Sequence, residues 1–362
     1  MNSLEEARKI INEVDAKMAE LFCERMRAAE VVCEYKAKHG LKIRDDEREA
    51  EVIRRNSELV DDKVLREYYV EFLSENMALS RAYQERLISG MKVAYSGTEG
   101  AFAHIAATKL FPYSKKVAYP DFASAYASVQ NGECDVAVLP TENSYNGEVG
   151  QVTDLMFSGS LYVNQVTELA VTQDLLAVKG AELSDIKEVV SHTQALGQCA
   201  DYIKEKGFVG REYVNTALAA KYVSEKNDKS VAAIASAEAA EIFGLCVLEK
   251  NINASRNNTT KFAVFSRANN IYPSSEKGLH SILMFTVRNE AGALAEAINI
   301  IGKHNFNMIT LRSRNMKALM WQYYFYVELE GDIAGENGKE MLKELKGCCD
   351  KLKITGSFKK ES

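Results

Sequence analysis

Arg8, Arg25 and Lys36 lie along a segment whose apolar residues keep a helical seam, and the chemistry they suit is the binding of a small dianion. Leu4, Ala7, Ile11, Val14, Met18, Leu21, Ala28, Val32 and Tyr35 follow a 3-4 spacing, and Arg25 fills the one seam position where an apolar residue is missing. A cation in a seam is costly unless something negative meets it there. Arg25 and Lys36 fall about 20° apart around a helix and roughly 16 Å apart along it, so their side chains can converge on an anion held between them. Arg8, turned about 100° from Arg25, suits a contribution across the seam from a second copy of the chain. Asp45, Arg48 and Glu49 open a second helix, where acids complement the dipole, and Ser80 and Gln84 form an i, i+4 polar pair on a third. Singly, each of these reads as a solvated surface position, and the seam alone is also compatible with a coiled-coil tether.

A second group of polar residues gathers at the ends of short β-like runs. Ser96-Gly97-Thr98-Glu99-Gly100 offers backbone N–H groups ahead of a helix, yet has neither the third glycine of a dinucleotide fingerprint nor the Lys-Ser/Thr of a P-loop. Pro140-Thr141-Glu142-Asn143-Ser144 follows an apolar run at its C-terminal end, where α/β folds place ligands. Ser191-His192-Thr193-Gln194 with Gln198-Cys199 follows another, and Asn258-Thr259-Thr260-Lys261-Phe262 opens a third. A lone histidine is usually structural, so Ser191-His192 is weak as a nucleophile signal.

Three units must position these groups. Residues 1–90 hold no proline and, before Gly90, only Gly40, which predicts three helices: one to about His39, one from about Asp45 and one from Asp61 to about Ile88. The first would be roughly 54 Å long, too long for a 90-residue globule to cover, so an intertwined homodimer is expected. Residues 91–268 alternate short strands with Ala-rich helices and predict an α/β unit of largely parallel strands, folded as two lobes about a cleft. Thr216 and Ser236 read as helix N-caps and Gly244 as a helix end. Residues 279–358 read β-α-β-β-α-β, the ferredoxin-like α+β order. The chain of 362 residues carries a net charge of −6, with no basic stripe for nucleic acid and no apolar run of membrane-spanning length. Seven cysteines without framework spacing and an N-terminus lacking a secretory plan predict a cytoplasmic protein with reduced thiols. No metal-ligand spacing occurs, and neither a metal nor an organic cofactor is expected.

Taken together, Arg8, Arg25, Lys36, Asp45, Arg48, Glu49, Ser80 and Gln84, with the Arg44–Glu49 block, resemble the active-site signature of the all-helical chorismate mutases. The segment behind it resembles prephenate dehydratase, with its P-x-E-N, S-H-x-Q…Q-C and T-R-F blocks, and the third resembles the amino-acid-binding ACT domain. The order is that of the bifunctional enzymes, and the central unit is then periplasmic-binding-protein-like. The resemblance implies conversion of chorismate to prephenate and of prephenate to phenylpyruvate in phenylalanine biosynthesis. It implies catalytic roles for the eight helical residues and for Glu142, Asn143, Ser191, His192, Gln198 and Thr260, with Gly100, Lys261 and Phe262 at the substrate. Gly292, Ala293, Leu294, Asn307, Met308, Ser313, Arg314 and Trp321 are implied for an effector, L-phenylalanine. Three positions depart from the family pattern: Lys261 stands where Arg is usual, and Arg312 and Asn315 replace the Glu and Pro of Glu-Ser-Arg-Pro. An arogenate-accepting dehydratase and a non-catalytic amino-acid sensor are the alternatives.

Overall fold

The computed structural model describes residues 3–254, 258–273, 276–316 and 322–360, in two compact units, Met1–Lys92 and Val93–Ser362. Trp321 lies outside the described residues.

The first unit is three helices, α1 (Leu4–Lys38), α2 (Asp46–Ser57) and α3 (Lys63–Ser89). Each starts on a side-chain cap: Ser3 Oγ accepts from the Glu6 N–H, Asp45 from Arg48 and Asp62 from Val64 and Leu65. Glu5 and Glu6 begin α1 and Lys36 and Lys38 end it, matching its dipole. Gly90, at φ +73°, closes α3 in a backbone conformation that favours glycine. The unit buries little of its own. Among the described residues only Cys33, Met77, Ser80 and Gln84 are fully covered, while the α1 seam stays open, with Leu21 62% and Leu4 66% exposed.

The second unit begins with β1 (Lys92–Ser96), α4 (Phe102–Leu110), β2 (Lys115–Tyr119), α5 (Phe122–Gln130), β3 (Val136–Asn143), β4 (Gly147–Glu148), α6 (Gly150–Ser158) and β5 (Tyr162–Ala170). The chain then crosses to a second lobe: β6 (Asp174–Ala177), β7 (Glu188–Ser191), α7 (Thr193–Gln198), α8 (Ala200–Lys206), β8 (Val209–Glu212), α9 (Thr216–Lys226), β9 (Val231–Ala235), α10 (Ala237–Phe243) and β10 (Cys246–Glu249). It returns through β11 (Thr259–Ser266), which inserts between β3 and β5 in a sheet ordered β2-β1-β3-β11-β5. The second sheet is ordered β10-β6-β9-β7-β8. Both are mixed rather than largely parallel. The outbound path β5→β6 and the return path β10→β11 run in opposite directions, so β11 is antiparallel to β5 and β10 to β6. Ser236 caps α10 and Gly244 ends it as expected, whereas Asn215, not Thr216, caps α9.

The remaining strands, β12 (Leu279–Val287), β13 (Asn307–Asn315), β14 (Tyr323–Glu330) and β15 (Cys349–Lys359), with α11 (Ala293–Lys303) and α12 (Glu336–Cys348), form an antiparallel sheet ordered β13-β14-β12-β15. This is the ferredoxin-like arrangement. Its sheet is covered on both faces. Leu283, Phe285, Val327 and Leu329 pack toward α11 and α12, and Ile282, Met284 and Tyr324 join the core of the first lobe. Two covered faces explain why β12 reads as a continuous apolar run instead of alternating.

Candidate active sites

In the first lobe, β3 and β11 lie side by side with Thr260 opposite Asn143 and Lys261 opposite Glu142. Side chains on a strand alternate between faces, so these two rungs point in opposite directions. Asn143, Thr260, Phe262 and Pro140 line a cleft of about 560 Å3 between the lobes, whose other wall carries His192, Gln194, Gln198, Asn215 and Thr216. Asn143 is fully committed. Its Nδ2 donates to Thr260 Oγ1 (2.9 Å) and Asn258 Oδ1 (2.8 Å), and its Oδ1 accepts the Tyr145 and Asn146 N–H groups. Thr260 therefore receives one hydrogen bond and keeps its own hydroxyl proton to give. His192 caps α7, its Nδ1 accepting the Gln194 N–H at 3.2 Å, which leaves Nε2 as the protonated, donating nitrogen. Gln198 Oε1 and Gln173 Oε1 are buried without a hydrogen-bond partner, and both residues line the cleft.

Several expected residues lie elsewhere. Glu142 and Lys261 turn away from the cleft, because they occupy the other face of the same two strands; they pair with each other at 3.3 Å, and Glu142 also pairs with Arg312 of β13. Ser191 is wholly buried and donates its hydroxyl to the Ile234 carbonyl at 2.5 Å, tying β7 to β9 instead of facing a ligand. Gly100 (φ +83°) is a close-approach position: a Cβ there would come within 3.1 Å of the Phe243 ring in the opposite lobe. Its turn delivers Ala101, Phe102 and Ala103 to the cleft. Gln173 and Asn215 are cleft residues with no signal in the sequence, since an isolated amide looks like any other loop polar group, whereas Asn258 heads the polar block that opens β11.

In the helical unit, Arg25 donates to Ser80 Oγ and to the Asn76 carbonyl (3.3 Å), and burial lowers its pKa. Gln84 Nε2 donates to the Ser80 carbonyl at 3.2 Å, while its Oε1 is buried and unpartnered. Arg25, Ser80 and Gln84 thus gather between α1 and α3. Lys36 donates to the Ile43 carbonyl at 2.5 Å, Asp45 caps α2, and Arg48 pairs with Glu51 at 2.5 Å. Glu49 reaches α3 by way of Arg81, which sequence spacing does not mark because it reads as a surface cation beside Ser80. Arg8 is exposed and roughly 26 Å along α1 from Arg25, so one chain does not bring it to the others.

In the ferredoxin-like unit, Gly292 (φ +88°) precedes α11 beside a cavity of about 430 Å3 lined by Thr286–Glu290, Leu294, Tyr323, Phe325 and Asp350. Ala293 opens α11, while Met308 packs into the core under the helices and Asn307 Nδ2 donates to Glu330 (3.1 Å). Ser313 lies exposed on one face of β13. Arg314 lies on the other, pairing with Asp154 (3.2 Å) and Glu148 (3.4 Å), so alternation along β13 aims it at the first lobe.

A family model described as prephenate dehydratase matches residues 93–270, and one described as chorismate mutase type II matches residues 7–85. A bifunctional chorismate mutase/prephenate dehydratase of Aquifex aeolicus (strain VF5) is 30% identical over 368 residues, covering 99% of both chains. Arogenate dehydratase 2 of Petunia hybrida is 32% identical over 288 residues, 76% of this chain and 73% of that one. A crystal structure of prephenate dehydratase in complex with L-Phe from Arthrobacter aurescens shares the fold, with a TM-score of 0.68 at 23% identity over 75% of this chain and 90% of that one.

Proposed function

Because the chain belongs to the bifunctional chorismate mutase/prephenate dehydratase family, we propose that its two reactions run in separate sites, one in the helical unit and one in the interlobe cleft. The protein is an enzyme of phenylalanine biosynthesis, rearranging chorismate to prephenate and converting prephenate to phenylpyruvate.

The first reaction is unimolecular and needs no nucleophile, so its catalyst holds a reactive conformer and stabilises charge on the breaking ether oxygen. Arg25 and Arg48, with Arg8 from a second copy, clamp the substrate carboxylates. Lys36 and Gln84 serve the ether oxygen, Glu49 the ring hydroxyl, and Asp45 and Ser80 hold Arg48 and Arg25 in place. The exposed α1 seam supports a homodimer in which that second copy lies against it.

In the second reaction the ring carboxylate leaves as CO2 and the electron pair moves through the ring to expel the C4 hydroxyl, which takes up a proton to depart as water. The Asn143–Thr260 contact carries this reading: Asn143 fixes the Thr260 oxygen, so the hydroxyl proton of Thr260 points to the leaving group. His192 Nε2–H and the Gln198 amide orient the substrate, and Phe262 walls the ring. Glu142 and Lys261 act on the cleft from behind, and Ser191 sets the position of the loop carrying His192. Given chorismate, the pure protein should accumulate prephenate and phenylpyruvate. The Thr260→Ala variant should make the first and not the second, and loss of both together would refute separate sites.

The ferredoxin-like unit, residues 279–358, we read as an ACT domain that takes L-phenylalanine in the cavity lined by Thr286–Glu290 and Leu294, with Gly292 and Ala293 beside it; residues 1–90 and 91–268 we read as the mutase and the periplasmic-binding-protein-like dehydratase domains. Similarity to an arogenate dehydratase favours a second reading in which the cleft also accepts arogenate, with an amino group in place of the keto oxygen. Neither reaction calls for a cofactor, and a cytoplasmic location suits both substrates.

A further inference from the structure

The face of β3 and β11 opposite the cleft holds a carboxylate gripped from two sheets. Glu142 pairs with Lys261 across the ladder and with Arg312 of β13, whose guanidinium also lies over the Tyr326 ring at 5.8 Å. All three charged groups are half-buried, in a seam closed by Thr153, Met156, Ile282 and Tyr326. Hydrogen bonds between ionised partners in such a place are stronger and more directional than surface pairs. Burial alone would raise the Glu142 pKa and lower that of Arg312. Their mutual hydrogen bond and charge reverse both, so each stays ionised. The next residue along β3 is Asn143 and the residue before Lys261 on β11 is Thr260, so the gripped rung and the reacting rung are consecutive in one ladder.

That ladder is irregular at this point, its register shifting between Lys261 and Phe262. Strand ends beside an irregularity are held by fewer regular hydrogen bonds than strand centres. The carboxylate clamp supplies the missing constraint. Lys261 and Arg312, two of the three residues that depart from the family pattern, meet on it. We propose that Arg312 is a positioning residue for the dehydratase reaction: by holding Glu142 from the ferredoxin-like unit, it fixes the neighbouring Asn143–Thr260 pair at the leaving hydroxyl. Arg312 never touches the substrate. It acts through one carboxylate and one strand step.

The inference rests on the cleft being the dehydratase site, and the full-length chain tests both separately. Arg312→Gln, which removes the charge and keeps much of the length, should lower the dehydratase kcat by about tenfold with KM for prephenate within about twofold, since a small misplacement costs rate and not uniform binding. Arg312→Lys should recover most of that loss, and the mutase rate of the same polypeptide should stay unchanged. An unchanged kcat in Arg312→Gln would overturn the proposal. So would a fall in kcat that tracks a loss of folded protein in thermal melts and is not recovered by Lys. Thr260→Ala, assayed alongside, reads the site itself: if it still forms phenylpyruvate at the parent rate, the cleft assignment fails whatever Arg312 does.

Discussion

Arg81 Nη1 lies 2.6 Å from both carboxylate oxygens of Glu49, so the acid expected to meet the ring hydroxyl of chorismate is already held by a cation from α3. This pairing joins α2 to α3 and cancels a negative charge in the pocket proposed for a dianionic substrate. Arg81→Met leaves Glu49 uncompensated, and we predict a rise in KM for chorismate of about fivefold, the size expected for a partly buried pair. Adding Glu49→Gln should bring KM back toward the parent while kcat falls, because the carboxylate proposed to meet the ring hydroxyl is gone. Steady-state mutase kinetics of the single and double variants check this, and an unchanged KM in Arg81→Met would count against it.

Thr260→Ser keeps a hydroxyl that Asn143 can still reach, whereas Thr260→Ala removes it. The prediction is near-parent phenylpyruvate formation for Ser and a loss of roughly 10²-fold or more for Ala, the usual worth of a positioned proton donor. Equal rates for the two variants would show that the hydroxyl is not the donor.

Lys353 Nζ is buried against the Met156 and Gly159 carbonyls at the end of α6, and burial lowers its pKa from 10.5 to about 8. Above about 8 the folded chain sheds this proton while the unfolded chain keeps it until about 10.5, so the unfolded state binds more protons across that window. This group's contribution to stability therefore rises with pH from about 8 to 10.5 and is flat below. Relative to Lys353→Met, the parent melting temperature should climb over that range. A constant difference between the two would show that Lys353 titrates normally.

Val14→Asp puts a charge in the middle of the open α1 seam, 11 residues from Arg25 and 6 from Arg8. If a second copy covers the seam and supplies Arg8, the variant should lose mutase activity by about 10²-fold, the cost of an incomplete clamp, while dehydratase activity continues. Cross-linking through a cysteine placed in α1 would report the loss of pairing directly. A variant with full mutase activity would mean that one chain completes the site.

Most of the helical unit was legible because its signals are local: seam spacing, caps and the absence of proline place α1, α2 and α3 within a few residues of their observed ends. The same holds for the six elements of the ferredoxin-like unit. Sequence reading failed where the answer depends on which strands become neighbours. Glu142 and Asn143 are adjacent in the chain and both polar, yet they face opposite ways, and only the position of β11 decides which of them sees the cleft. Ser191 is likewise indistinguishable from a ligand-facing serine until the Ile234 carbonyl is placed beside it. Arg81, Gln173 and Asn215 carry no periodic or motif signal at all, and their partners lie on distant segments.

The chain leaves the first lobe after Ala170 and re-enters it at Thr259, two residues that face each other across the ladder. The whole second lobe is thus an excursion from one point in a sheet. The strand it delays, β11, is the one that belongs between β3 and β5. As the polypeptide emerges from the ribosome, the first lobe must wait with two bare inner edges until the second lobe has been synthesised. Unpaired edges of this kind are where nascent chains associate wrongly. Thr260, the residue proposed to act on the leaving hydroxyl, is among the first of the strand that closes the gap, so the sheet and the cleft wall that carries this side chain become complete in the same event.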